Sequence, residues 1–217
     1  MPSSILSRQA PLFPLKIKFP KKFDGTALFF GALIPDFNFI VDFFYPVNFY
    51  GFTHSLIGQF FWTIPLTVLA TLIFSQFIGP FCAKIASCDS KIFFLLKYFG
   101  VDQWYLLKRK KFNRKFWFTS TLSALLGGIS HLLLDWPSHA HVYILYPWIV
   151  WLNPYFLLHP IFDFGSFSIG PFKFEWYFRV CSLLWVLQTI LGFILALYFL
   201  RYIKNNDLVS KWYGDMK

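Results

Sequence analysis

The chain has 217 residues, 57% of them hydrophobic and only 14% charged, with 31 Phe, 11 Tyr and 9 Trp. Soluble domains carry about 25% charged residues, so this composition excludes an ordinary soluble domain and a disordered chain, and three Cys exclude a disulfide scaffold. An integral membrane protein is the class that remains, and the net charge of +10 must then find its place on one side of a bilayer.

A helix needs about 20 mostly apolar residues to cross the hydrocarbon core. Four stretches meet that length, at 26–44, 55–81, 116–135 and 180–200. They predict an all-α, integral membrane helical bundle with about four transmembrane helices, plus interfacial or re-entrant segments. No repeat or Gly/Ser linker divides the chain, so 1–217 reads as a single membrane domain.

The segment before the first span carries Arg8, Lys16, Lys18, Lys21 and Lys22. Its prolines, Pro11, Pro14 and Pro20, leave no unbroken apolar core for a cleaved signal peptide. The first span is interrupted in its second half by Pro35, Asp36 and Asp42, and Pro35 should break the helix there. The second span is long and free of formal charge, with His54 at its mouth.

The 82–115 loop contains the run KRKKFNRK from Lys108 to Lys115. In this context such a run reads as a positive-inside anchor attracted to anionic lipid, and no nucleic acid is expected. Residues 92–107 mix Phe, Leu and Tyr with lysine and suit a helix lying at the interface. The third span is apolar as far as His131 and contains Gly127-Gly128 with Ser123 and Ala124 one turn earlier, which would permit close helix approach. The outer loop, 136–179, holds an aromatic stretch at 142–162 broken by Pro147, Pro154 and Pro160, read as interfacial or re-entrant.

Taken by side, 18 Lys and Arg fall on one face and 2 on the other. The positive-inside rule puts the termini and the 82–115 loop in the cytoplasm of a multi-pass plasma-membrane protein. All five His lie on the other face, with Asp36, Asp42, Asp135, Asp163 and Glu175.

Ionisable groups at membrane depth are costly and point to function. The densest pattern is S-H-L-L-L-D-W-P-S-H-A-H, from Ser130 to His141. His131 and Asp135 are four apart and share a helix face, and Pro137 should turn the chain so that His139 or His141 comes back toward it. Topology brings Asp36, His54, His131, Asp135 and His139 to one depth from three spans. Imidazole with carboxylate suits a divalent metal such as Zn²⁺, Mn²⁺ or Fe²⁺; the same spacing also serves simple hydrogen-bonded pairs.

At these residues the chain resembles a family. S-I-L-S-R-Q-A-P-L-F-P-L-K, F-D-G-T-A-L-F-F-G-A-L-I-P-D, T-H-S-L-I-G and G-G-I-S-H-L-L-L-D-W-P-S-H look like an uncharacterised prokaryotic multi-pass membrane family, similar in turn to the predicted membrane-bound metal-dependent hydrolases. The matched segments cover roughly 3–66 and 120–160, and the fourth span matches only as a hydrophobic helix. The resemblance implies a helical membrane bundle and a metal centre using Asp36, His54, His131, Asp135 and His139. Such proteins usually have Ser-His near the N-terminus, where this chain has Ser7-Arg8. Arg8 is therefore either a replaced ligand or a site for an anionic substrate group. To reach the cluster, residues 3–14 would have to dip into the membrane.

Three functions follow as expectations. The first is a metal-dependent hydrolase acting at the outer surface on a lipid-like or amphiphilic substrate, with one of the five groups or Asp42 as general base. The second is a non-catalytic membrane scaffold with a structural His/Asp cluster. The third is a metal-ion transporter, against which stands the near absence of ionisable groups in the cytoplasmic halves of the spans.

Overall fold

Residues 6–44, 49–88, 93–169 and 172–214 are described by the computed structural model, with the side chains of 167–176 left out of the description. The expected outer-side charges of Lys173 and Glu175 fall in that gap. So do Lys91 and Ile92 from the expected interfacial stretch, and residues 3–5 of the N-terminal dip.

The chain is mostly helical, and the helices that begin at Gly25, Leu56 and Arg114 start on side-chain caps. After a short turn at Ala10–Leu12 comes α1 (Phe13–Lys18), whose Pro14 sits in the first turn, where its missing N–H costs nothing. Asp24 caps α2 (Gly25–Gly31), its Oδ1 accepting from the Thr26 and Ala27 N–H groups at 3.0 Å each. At Pro35 the chain tightens into a 3₁₀ turn, Ile34–Phe37, before α3 (Asn38–Phe44). The two halves are bent by 48°. The expected break at Pro35 is therefore present, and it leaves Asp36 at the elbow.

Ser55 caps α4 (Leu56–Ala86), accepting from Gly58 N–H at 3.0 Å. This helix runs to 86, past the 81 expected, and it widens twice into π turns, at Gln59–Thr63 and Phe74–Ile78. Along it Gln59, Thr63, Thr67, Thr71 and Ser75 fall at every fourth position, all 0% exposed. An ordinary helix has 3.6 residues per turn, so a strict four-residue period drifts around it. The wider π turns, with i→i+5 bonding, offset that drift and keep the stripe facing inward.

Asn113 caps α5 (Arg114–Asp135), accepting from Phe116 N–H at 3.0 Å. The small residues of this helix set the packing. A Cβ at Gly127 would stand 2.8 Å from Leu28 O and Ala32 N, one at Gly31 would stand 2.6 Å from Ala124 O, and Gly128 abuts the Gln59 side chain. The partners of the Gly127-Gly128 face are thus α2 and α4 of the same chain. Asp24 N–H donates to Ser123 Oγ at 2.9 Å, and His131 Nδ1 meets Ala32 O at 2.8 Å. Both pairs are 99 residues apart, so α2 and α5 run in the same direction in fixed register.

The last long helix, α6 (Val180–Asn205), buries only Cys181, Gly192, Ala196 and Ile203. Leu187, Ile190, Leu191 and Ile194, among its other apolar side chains, face outward, the reverse of a helix in a water-soluble core. Gly192 lies against the backbone at Ser7, which docks the N-terminal segment into the bundle. α7 (Leu208–Tyr213) folds back and buries Val209 and Tyr213 against Leu106, Leu107 and Ile203. Three helices are long and apolar enough to cross a membrane, at Leu56–Ala86, Arg114–Ser138 and Val180–Asn205, or up to four if the bent pair is one span.

The all-α expectation needs correction between α5 and α6. His141–Val142 (β1) pairs with Trp151–Leu152 (β2), and Pro160–Ile169 (β3) pairs antiparallel with Phe172–Arg179 (β4). The aromatic segment at 142–162 becomes these short strands and a helical turn at Tyr155–Leu158. The hairpin follows from its alternation, I-F-D-F-G-S-F and F-K-F-E-W-Y-F-R, which has the period of a strand. The expected interfacial helix at 92–107 forms in two pieces, Phe94–Tyr98 and the 3₁₀ run Val101–Arg109.

Candidate functional site

Three local features deliver the site. The elbow at Pro35 presents Asp36, the turn between Thr53 and the Ser55 cap presents His54, and the last turns of α5 present His131 and Asp135. His131 is fully buried. Its Nδ1–H donates to Ala32 O at 2.8 Å, while Nδ1 of His54 faces Tyr50 O at 3.1 Å and Thr53 Oγ at 2.9 Å. A backbone carbonyl can only accept, so it draws the ring proton to Nδ1 and leaves Nε2 with a lone pair. Both rings therefore turn an Nε2 acceptor to the centre, a support typical of metal-binding histidines.

Those two Nε2 atoms are 3.2 Å apart, and Asp36 Oδ1 lies 3.5 Å from each. Metal–ligand bonds of about 2.0–2.1 Å in a tetrahedron set ligand atoms about 3.3–3.4 Å apart. Asp36, His54 and His131 thus form a face of the right size, a two-His, one-carboxylate group whose ligand atoms all lie within 4.8 Å of one another. This group could hold a metal ion.

Of the other two expected ligands, Asp135 is also at the centre: its Oδ2 is 3.1 Å from His131 Nε2 and 3.4 Å from His54 Nε2, nearer to each than Asp36 Oδ1, though the three that could together hold an ion are Asp36, His54 and His131. His139 Nδ1 is 3.6 Å from Asp135 Oδ1 and bonds to Ser138 Oγ at 3.1 Å, so it sits a step farther out. Asp42, the alternative base, is engaged elsewhere: its oxygens accept from Asn38 Nδ2 at 2.7 Å and Phe49 N–H at 2.9 Å.

Arg8 reaches the cluster, so the N-terminal segment does enter the bundle. Its guanidinium, 8% exposed, donates from Nη1 to His131 Nε2 at 2.6 Å and to Asp36 at 3.2 and 3.3 Å. Nη2 lies 2.5 Å from Asp135 Oδ1. The cation therefore touches two members of the metal-sized face and neutralises one carboxylate beyond it.

Residues 1–205, which include every residue of this cluster, match the model of one family, a domain of unknown function. The chain belongs to the DUF4184 family. No curated protein and no solved structure matches it.

Beside the cluster a vestibule of about 330 Å³ is bounded by Arg8, Asp36, Tyr50, His139, Tyr143 and Trp185, among others. Tyr50 stacks on His54 with ring centroids 3.8 Å apart. Tyr50 and Trp185 escaped sequence reasoning because aromatic residues are everywhere in this chain. The small residues of α5 were legible in position, but the role of Ala32, which acts through its backbone, carries no side-chain trace.

Proposed function

We propose that this DUF4184 protein is a multi-pass plasma-membrane protein of about four spans, with its C-terminus and the 82–115 loop in the cytoplasm, that hydrolyses a lipid-like amphiphile at the outer surface using a divalent metal. Zn²⁺, Mn²⁺ or Fe²⁺ would suit the donors. The observation that carries the reading is the pairing of two Nε2 acceptors 3.2 Å apart with Asp36 Oδ1 at 3.5 Å, since two facing lone pairs call for a cation.

When bound, the metal would lower the pKa of a water and polarise the scissile carbonyl or phosphoryl group. Asp36, His54 and His131 would hold it. Asp135, beside both imidazoles, would take a proton from the attacking water, and Arg8 in the vestibule wall would bind the anionic part of the substrate as charge develops there. A substrate drawn from the bilayer explains why the site lies at the end of the spans and not in a soluble domain.

Arg8 supports a second reading, a non-catalytic scaffold in which the guanidinium is itself the cation of the cluster. Its contacts with Asp36 and Asp135 already pair both carboxylates. Metal analysis of protein purified without chelators separates the two. About one transition-metal ion per chain is expected, lost in Asp36→Ala and His131→Ala. A wild-type protein that refuses added Zn²⁺, Mn²⁺ and Fe²⁺ while staying folded would establish the scaffold. With metal present, product release from lipid in proteoliposomes tests hydrolysis, and uptake of labelled metal would identify transport.

A further inference from the structure

A second cavity, of about 230 Å³, lies between α2, α4, α6 and α7, walled by Leu28, Phe29, Phe74, Leu200 and Ile203 and bordered by Gln9 and Lys16. Apolar cavities of about 150 Å³ already stay dry and admit small hydrocarbons. Phe29 and Leu200 are half-buried, so the space reaches the surface between α2 and α6, where the exposed face of α6 meets its surroundings. The Lys16 amine donates to Pro20 O at 2.8 Å and Phe23 O at 2.9 Å, and Asp24 and Lys110 pair with each other nearby. The polar end of the cavity is therefore already committed, and its walls favour an uncharged occupant.

Gln9 breaks the apolar pattern. It is 2% exposed, and both its carboxamide oxygen and nitrogen are without partners among the described residues. An unpaired buried amide costs about 1–3 kcal/mol, which a ligand with a hydrogen-bond acceptor would recover through Nε2. Gln9 directly follows Arg8, so successive side chains serve the two cavities, Arg8 lining the vestibule and Gln9 the apolar space.

We infer that this apolar cavity binds an ester-linked acyl chain of a membrane phospholipid, with the ester carbonyl on the Gln9 amide and the anionic headgroup toward Arg8. The chain-binding site names the substrate class for the proposed hydrolase and rests on that reading only for the bond that is cut. A pure hydrocarbon would leave the Gln9 amide unpaired. A free fatty acid would put its charge at the neutral Gln9 amide, where the ester presents an uncharged carbonyl. An ester in the bilayer has the required order: charged group, carbonyl, chain.

The test uses proteoliposomes of the full chain in phosphatidylglycerol carrying a diazirine midway along one acyl chain, with crosslinks mapped by mass spectrometry. Adducts are expected on the buried Leu28 and Ile203, which surrounding bilayer lipid does not touch, as well as on the outward-facing Phe81 and Ile194. Gln9→Leu should lower the Leu28 and Ile203 adducts relative to those on Phe81 by about 3–10-fold, the worth of one hydrogen bond. Leu200→Trp, which fills the space, should abolish them. Adducts confined to outward-facing positions, or cavity adducts unchanged in folded Gln9→Leu, would overturn the assignment. Should Leu200→Trp not fold, the Gln9 variant decides alone. His131→Ala should label as wild type does, so a failed hydrolase reading would show in metal content and product while chain labelling persisted.

Discussion

The Nη1 atom of Arg8 lies 2.6 Å from Nε2 of His131, an imidazole whose other nitrogen is committed to Ala32 O. A permanent cation thus occupies the acceptor that a metal would use. Arg8→His removes that charge and adds a ligand, so it should tighten Zn²⁺ or Mn²⁺ binding by roughly tenfold or more, as read by titration in detergent. Arg8→Ala leaves the buried Asp135 carboxylate without its partner and should cost about 3–5 kcal/mol. Added metal should restore part of the lost thermal stability in that variant, and no recovery would argue against a metal at this site.

The close approach of α2 and α5 predicts a steep steric response. Gly127→Ala puts a methyl 2.8 Å from two backbone atoms of the neighbouring helix that cannot yield without moving it. A loss of about 1–3 kcal/mol is expected, visible as a lower melting temperature, together with weaker metal binding because His131 is carried away from Ala32. Ser120→Ala on the same helix introduces no atom and should leave both measurements near wild type.

The hydroxyls of Thr63, Thr67 and Thr71 are buried without partners among the described residues. Thr67→Val and Thr71→Val keep the shape and remove the unpaired group, so each should be neutral or stabilising by up to about 1 kcal/mol. Thermal unfolding of the two variants checks this. A loss of several degrees in either would mean that its hydroxyl is bonded in the folded protein.

At the other end of the bundle, burial pushes the Lys16 ammonium from its ordinary 10.5 down to about 8, Asp24 opposing and Lys110 adding to the fall. Between those two values the unfolded chain holds more protons than the folded one, so stability should rise with pH across that window, by about 3 kcal/mol in all. Lys16→Met should flatten the slope. For Asp24, burial alone would raise the carboxyl, but the Lys110 charge and hydrogen bond, with the Ala27 N–H, hold it below its ordinary 3.8. Its contribution is present above that ordinary value and is lost as pH falls through the lower folded one. Melting curves from pH 3 to pH 10 test both arms.

The spans were legible because 20 apolar residues in a row have few other uses, and Pro35 announced its own elbow. The meeting of Asp36, His54 and His131 was also legible, since long helices that alternate in direction bring the end of one beside the start of the next. What escaped has physical reasons. The β3–β4 hairpin was hidden by a composition so rich in Phe that alternation passed for a continuous apolar run. The Gln59–Ser75 stripe was masked because single Thr and Ser residues do not stand out in an apolar segment, and because only π turns hold a four-residue period on one face. The far end of the bundle is not apolar either, since Lys16, Asp24 and Lys110 are buried there. The place of His139, a step outside the cluster, depends on side-chain placement finer than any spacing rule.

The constant offset of 99 residues between Asp24 and Ser123, and again between Ala32 and His131, has a consequence for how this chain can vary in length. Deleting one residue between Ser123 and His131 would turn the imidazole by about 100° and withdraw it about 1.5 Å, while the Asp24 end stayed fixed. An insertion in α2 would do the same to Ala32 and Asp36. Length changes should therefore accumulate at 87–112 or 143–170, outside the paired segments, whereas 24–36 and 123–135 should not change in spacing unless both alter by the same number.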